Sequence, residues 1–265
     1  MAKNMYRGDN ADAGPSREIW ANCPVADMLV DPNTGYYFYD DFLLFLEDTG
    51  GWLCAGTNDT CTNLATEVGG VIQVGATGAD NDEGYLTSGN NEAGWGKMYT
   101  TTPKELWWEA RVRINSITDV GTFVGLSEEG LAAADTLTNN DAALASKDMV
   151  GFHADTAAPA TLDCVYRTAA ATAVVAKAAA QTLVATTWYK LGLHFDGKYL
   201  NWYINGVREA LTSTITGVVV GKGLKVSAAT DFPDGEELAV LIGVHDGEGA
   251  AKNIDIDWVR CAQLR

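Results

Sequence analysis

Residues 188–209 read WYKLGLHFDGKYLNWYINGVRE, and the alternation in that stretch decides the fold class. Tyr189, Leu191, Leu193 and Phe195 fall on one side of an extended chain, and Asp196-Gly197 then offers a tight turn. Leu200, Trp202 and Ile204 make a second apolar row before Asn205-Gly206 supplies a second turn. Period-two alternation marks a strand with one buried and one wet face. Asp-Gly and Asn-Gly tolerate the positive φ that two-residue hairpins need. Residues 188 to about 212 are therefore predicted to form a three-stranded meander.

The same signal recurs on both sides. In ELWWEARVRIN, residues 105–115, Leu106, Trp108, Ala110, Val112 and Ile114 alternate with Glu109, Arg111 and Arg113. DFLLFL, GGVIQVGA, GKMYTT, GTFVGLS, DMVGFHA, LDCVYRT, LAVLIGV and the closing IDIDWVRC are further strand candidates. Many short strands with no interleaved helical period predict an all-β fold, a sandwich or jelly roll. The alanine-rich stretch 168–187 reads as strand because its Thr and Val content outweighs the helix preference of alanine. Residues 131–148 read as a short helix or a long loop. No repeat of fixed period is present, which disfavours a solenoid or propeller.

Residues 1–38 differ in character. They hold three of the six prolines, Pro15, Pro24 and Pro32, among polar runs, yet also Ile19, Trp20, Met28, Leu29 and the cluster Tyr36, Tyr37, Phe38, Tyr39. This predicts an extended N-terminal arm (1–38) before a sandwich domain (39–265), with the aromatic residues packed on their own domain or docked on a neighbouring subunit.

Composition narrows the function. The hydrophobic content of 47% over 265 residues suffices for a sizeable core. With 18 basic against 35 acidic residues the formal charge is −17 and the cations are scattered, which argues against nucleic acid as a partner. No stretch has the apolar length of a membrane span or a signal peptide, so synthesis in a cytoplasm is expected. Five cysteines without C-x-x-C spacing give no zinc or dithiol motif. Cys54 and Cys61 are close enough to bridge a loop, but a reducing compartment would keep them as thiols; Cys164 and Cys261 read as core.

The order of the pieces resembles the concanavalin A-like lectin/glucanase superfamily, particularly its laminin-G-like members. The resemblance rests on DDFL, on WWEARVRINSITDVGTFVGLS, on TTWYKLGLHFDGKYLNWYINGVRE and on the closing IDIDWVR, over residues 40 to 265. It implies two antiparallel sheets face to face and a concave face that binds glycans in relatives. Trp107 and Tyr203, on the polar parity of their strands, are then candidate stacking surfaces, unless loops cover them. Retaining glucanases of the superfamily carry E-x-D-x-x-E on one strand, because hydrolysis needs an acid and a nucleophile about 5 Å apart. Laid on the closing strand, the pattern gives Asp255, Asp257 and then Arg260 where the second acid belongs.

Parity in that strand puts Ile254, Ile256 and Trp258 on one face and both aspartates on the other. His153, His194 and His245 accompany no nucleophile motif, and GVVVGKG lacks the second half of a phosphate loop. No catalytic residue and no organic cofactor is expected. The resemblance implies at most a structural calcium on Asp257; the acidic run 78–84 is oxygen-rich but lacks EF-hand spacing. The expectation is a non-enzymatic virion structural protein, a capsid decoration protein of a tailed bacteriophage. It would form homo-oligomers and contact major capsid or other virion proteins through Trp20 and Tyr36 to Tyr39. The alternatives are a glycan-binding receptor-recognition module and a diverged glycoside hydrolase.

Overall fold

A computed structural model describes residues 13–45, 51–65, 67, 69–88, 96–98, 103–128, 136–138 and 142–265. Two short helices open the described chain, α1 (Arg17–Trp20) and α2 (Val25–Val30). The first strands are β1 (Gly35–Asp40), β2 (Trp52–Ala55), β3 (Asp59–Asn63), β4 (Ile72–Ala76), β5 (Glu83–Ser88) and β6 (Gly96–Lys97). Next come β7 (Leu106–Ile114), β8 (Val120–Glu128), β9 (Met149–Ala154), β10 (Thr161–Arg167), β11 (Val174–Thr182) and β12 (Trp188–Phe195). The chain closes with β13 (Tyr199–Ile204), β14 (Val207–Arg208), β15 (Val218–Val219), β16 (Gly223–Lys225), β17 (Glu237–Asp246) and β18 (Asn253–Leu264).

These strands form a two-sheet antiparallel sandwich. One sheet runs β15-β16-β13-β12-β7-β18-β4-β3, with β1 on β18 and β14 on β13; the other runs β11-β10-β9-β8-β17-β5-β2, with β6 on β17. The expected meander is β12, β13 and β14, in register Leu193 to Trp202 and Ile204 to Val207. Its second turn carries Asn205 at φ 51° and Gly206 at φ 78°, the paired positive values that favour Asn-Gly. The inner rows of both sheets interdigitate: Trp108, Val112, Leu193 and Trp202 from one meet Val124, Phe152, Leu162 and Ile242 from the other. Trp202 Nε1 also donates to the Gly151 carbonyl at 2.9 Å, a polar tie through the apolar layer.

Several expectations change. DFLLFL is not a strand where it is described: β1 ends at Asp40, whose carboxylate accepts the Phe42 N–H at 2.7 Å and Trp52 Nε1 at 2.7 Å, turning the chain with Phe42 at φ 53°. Residues 46–50 lie outside the described residues. The aromatic cluster at 36–39 is strand β1, paired with the closing strand from Gly35↔Leu264 to Asp40↔Val259, so the boundary expected at 38/39 falls inside a strand. The alanine-rich stretch does form β11. No helix is present in the described part of 131–148, where Leu137 bridges Leu144. Cys54 and Cys61, expected as thiols, form a disulfide with Cα atoms 6.0 Å apart. It ties β2 of one sheet to β3 of the other, closing one side of the sandwich. Cys164 and Cys261 are buried core thiols, as expected.

Candidate functional site

The closing strand was the first candidate. Ile254 and Ile256 face the core, but a register shift between Ile256↔Val112 and Trp258↔Arg111 inserts Asp257 as a bulge. From there the parity reverses: Val259 and Cys261 enter the core, and Trp258 stands on the outer face. The aspartates meet the arginines of β7. Asp255 accepts from Arg113 at 2.9 Å (Nε) and 2.7 Å (Nη2) and from Gln73 Nε2 at 2.9 Å, while Asp257 accepts from Arg111 Nη1. Opposite charges on adjacent strands stabilise the pairing.

Asp257, the residue expected to hold a structural calcium, is paired with the Arg111 guanidinium. No group of three or more His, Cys, Asp and Glu suited to a metal is found among the described residues. In the acidic run 78–84, Asp82 is satisfied by donors: Asn58 Nδ2 at 2.8 Å, Thr77 Oγ1 at 2.9 Å and the Ala79 N–H at 2.8 Å. Burial alone would raise its carboxyl; these donors and the Gly78 N–H together outweigh burial and leave it lowered.

The arm covers the outer face of the ten-stranded sheet. Ile19, Trp20 and Met28 pack on Trp107, Tyr203 and Ala262, with Tyr37 and Leu264 at the margin. Trp107 and Tyr203, expected as possible sugar-stacking surfaces, do point outward but are buried beneath the arm. His194 stacks on Trp107, ring centroids 5.6 Å apart, and contacts Glu105 Oε1 at 2.9 Å, a structural role.

At the centre of the contact is Glu109, fully buried, accepting Ser16 N–H at 2.9 Å and Trp20 Nε1 at 2.8 Å. Burial pushes its carboxyl above the ordinary glutamate value, against the pull of those donors and of Lys190. Lys190 Nζ reaches the Gly14 carbonyl at 3.1 Å and Trp258 Nε1 the Ala13 carbonyl at 2.8 Å. Trp20, expected either to pack on its own domain or to dock on a neighbouring subunit, is an anchor in its own chain. Tyr36 and Phe38 pack toward the core, and Tyr39 lies under Arg260, whose guanidinium is 4.4 Å from the ring centroid.

The outer face of the eight-stranded sheet is covered as well. Its row is Tyr85, Phe123, Met149, Val165 and Leu241, and the segment carrying Leu137, Ala142 and Leu144 packs over it. The cover is fixed by polar ties: Leu137 N–H donates to the Tyr85 hydroxyl at 3.2 Å, His153 Nε2 meets the Ala142 carbonyl at 2.7 Å, and Arg167 Nη1 donates to the Leu144 carbonyl. A Cβ at Gly121 would lie 2.2 Å from Ala142 Cβ, so the close approach requires glycine there.

Along β9 the outward positions are Met149, Gly151 and His153, none of them a carboxylate. Two cross-strand pairs do bring acid and imidazole together. Glu83 stands opposite His245, both buried. Asp163 stands opposite His153, both half-buried at the margin of the cover, with the Ala179 N–H donating to Asp163 Oδ1 at 2.7 Å. Directly opposed side chains have Cβ atoms about 5 Å apart. The His153–Asp163 pair had no signature in sequence, since neither spacing nor parity reveals which strand lies beside which.

No protein-family model and no curated protein matches the chain. Solved structures do match its fold. A protein of unknown function from Shewanella oneidensis MR-1 superposes with a TM-score of 0.55 at 13% identity, covering 88% of this chain and 87% of its own. A structure described with endo-acting O-glycanases that prominent members of the human gut microbiota express to initiate mucin breakdown gives 0.54 at 13% identity, covering 86% and 99%. The laminarinase from Flavobacterium sp. UMI-01 gives 0.54 at 10% identity, covering 86% and 98%. The fold is a concanavalin A-like jelly-roll sandwich. The expectation of a non-enzymatic protein is corrected by these likenesses: the sandwiches this chain resembles include glycan-cleaving enzymes, so the architecture is one that enzymes use.

Proposed function

We propose that the chain is a diverged glycoside hydrolase, directed at a polysaccharide or mucin-type glycan. The observation that carries this reading is the agreement of the whole two-sheet architecture, over 86% of the chain, with structures named for glycan cleavage. The acid pattern of retaining glucanases is absent from the sequence, so the chemistry needs other groups. His153 and Asp163 are the pair best suited: a carboxylate and an imidazole on adjacent strands, both reached by solvent, at the margin of the covered face. Asp163 would act as the carboxylate base or nucleophile and His153 as the proton donor to the leaving oxygen.

The test is release of reducing ends from a panel of β-glucans and mucin O-glycans. Wild type should release them, and Asp163→Asn and His153→Gln should each lower the rate by about a hundredfold or more. No release by wild type across the panel would end the hydrolase reading; release untouched by both substitutions would end the assignment of the pair. The capsid-decoration reading assigned the arm to contacts with neighbouring subunits, and Ile19, Trp20 and Met28 of that arm pack on the chain's own sheet.

A further inference from the structure

A groove of about 650 Å³ lies on the sheet opposite to the His153–Asp163 pair, between the start of the arm and strands β7 and β12. Arg17, Glu18, Arg111, Trp188, Lys190 and Asn205 line it. The volume falls within the ~300–1,000 Å³ of ordinary ligand sites. Its charge is unusual for this molecule: in a chain of net −17, three cations converge on one groove against a single lining carboxylate. Arg111 and Lys190 are direct cross-strand partners, and Lys190 Nζ is already held by the Gly14 carbonyl. Asp257 offsets Arg111 through one nitrogen, Nη1, and Arg111 Nε is buried without a protein partner.

The donors are held in place. Trp188 has the Arg111 guanidinium 4.4 Å and the Arg113 guanidinium 4.5 Å from its ring centroid, so the fork of Arg111 is oriented before any ligand arrives. Asn205, fixed in its turn, accepts the Lys190 N–H at 2.9 Å through Oδ1, which leaves its amide NH₂ as the donor end. Arg17 is exposed on the arm above.

We propose that this groove binds a saccharide bearing a carboxylate or sulfate group, with Arg111 and Arg17 on the anion and Asn205 on a neighbouring hydroxyl. The saccharide part rests on the glycan-directed reading above; the anionic part rests on the groove alone. Such a site would hold an acidic glycan on the face remote from Asp163, as an anchor.

Calorimetric titration of the full chain with a uronic-acid trisaccharide, a sulfated trisaccharide and a neutral β-1,3-glucose trisaccharide tests it. The acidic sugars should bind about tenfold or more tightly than the neutral one, and less tightly as salt rises. Arg17→Glu, on the exposed arm, should weaken them about fivefold or more, and Arg111→Lys, which keeps the charge but loses the planar fork, should do the same. Asp163→Asn should leave this binding unchanged. Acidic and neutral sugars binding alike, or both arginine variants binding as wild type, would overturn the proposal. Glycan release that persists after such a result keeps the hydrolase reading, and acidic-sugar binding without any release keeps the groove and removes the hydrolase.

Discussion

Glu109 is a carboxyl group taken out of water, and its titration carries a sign. Burial raises its pKa above the unfolded value despite the Ser16 and Trp20 donors and Lys190. The native state therefore holds the proton more tightly than the unfolded chain. The stability this contributes is complete below the ordinary glutamate range and is lost as pH rises through the raised pKa. Glu109→Gln should flatten that fall, read as the denaturation midpoint between about pH 4 and pH 8; an unchanged slope would mean the arm contact does not titrate. Asp255 holds strands together by direct contacts, paired with Arg113 and Gln73. Asp255→Asn should cost about 1–3 kcal/mol in denaturant unfolding. It should leave glycan release intact, because the carboxylate holds a strand pair together. Loss of release in a folded variant would restore the closing strand as a candidate site.

At the scale of elements, the cover over the eight-stranded sheet depends on one missing side chain. Gly121→Ala would set a methyl group 2.2 Å from Ala142 Cβ and lift the segment. The expected outcome is a loss of about 1–3 kcal/mol together with faster amide exchange at Leu137 and Leu144; protection equal to wild type would show that the segment repacks. The sequence betrayed the meander at 188–209 because alternation and Asn-Gly turns are local signals. The pairing of Tyr36 to Tyr39 was not legible because their partner is β18, more than 200 residues away, and the end of strand in DFLLFL because the Asp40 carboxylate turns the chain there. The closing strand was legible up to Asp257, where the bulge reverses its faces, and a bulge leaves no reliable mark in period-two counting. Alternation likewise says that a face is apolar, as at Phe123 and Leu241, without saying what covers it.

Across the whole molecule, the Cys54–Cys61 bridge joins the two sheets where β2 and β3 would otherwise be separate edges. Replacing both cysteines by serine should lower stability by about 2–3 kcal/mol, the loop-closure value for so short a loop. The wild-type protein in reductant should show the same shift in midpoint; no shift in either would mean the bridge adds nothing to the fold. The position of β18 has a different consequence, in time. It follows all three of its partners in sequence, yet it lies between β7 on one side and β4 and β1 on the other. A ribosome delivers β1, β4 and β7 long before their common partner, so until it emerges they have no β18 to pair with. Nonlocal pairing of this kind slows folding, and waiting edges invite wrong partners. The nascent chain is thus most vulnerable before β18 emerges, and it is then that a holding chaperone would be needed.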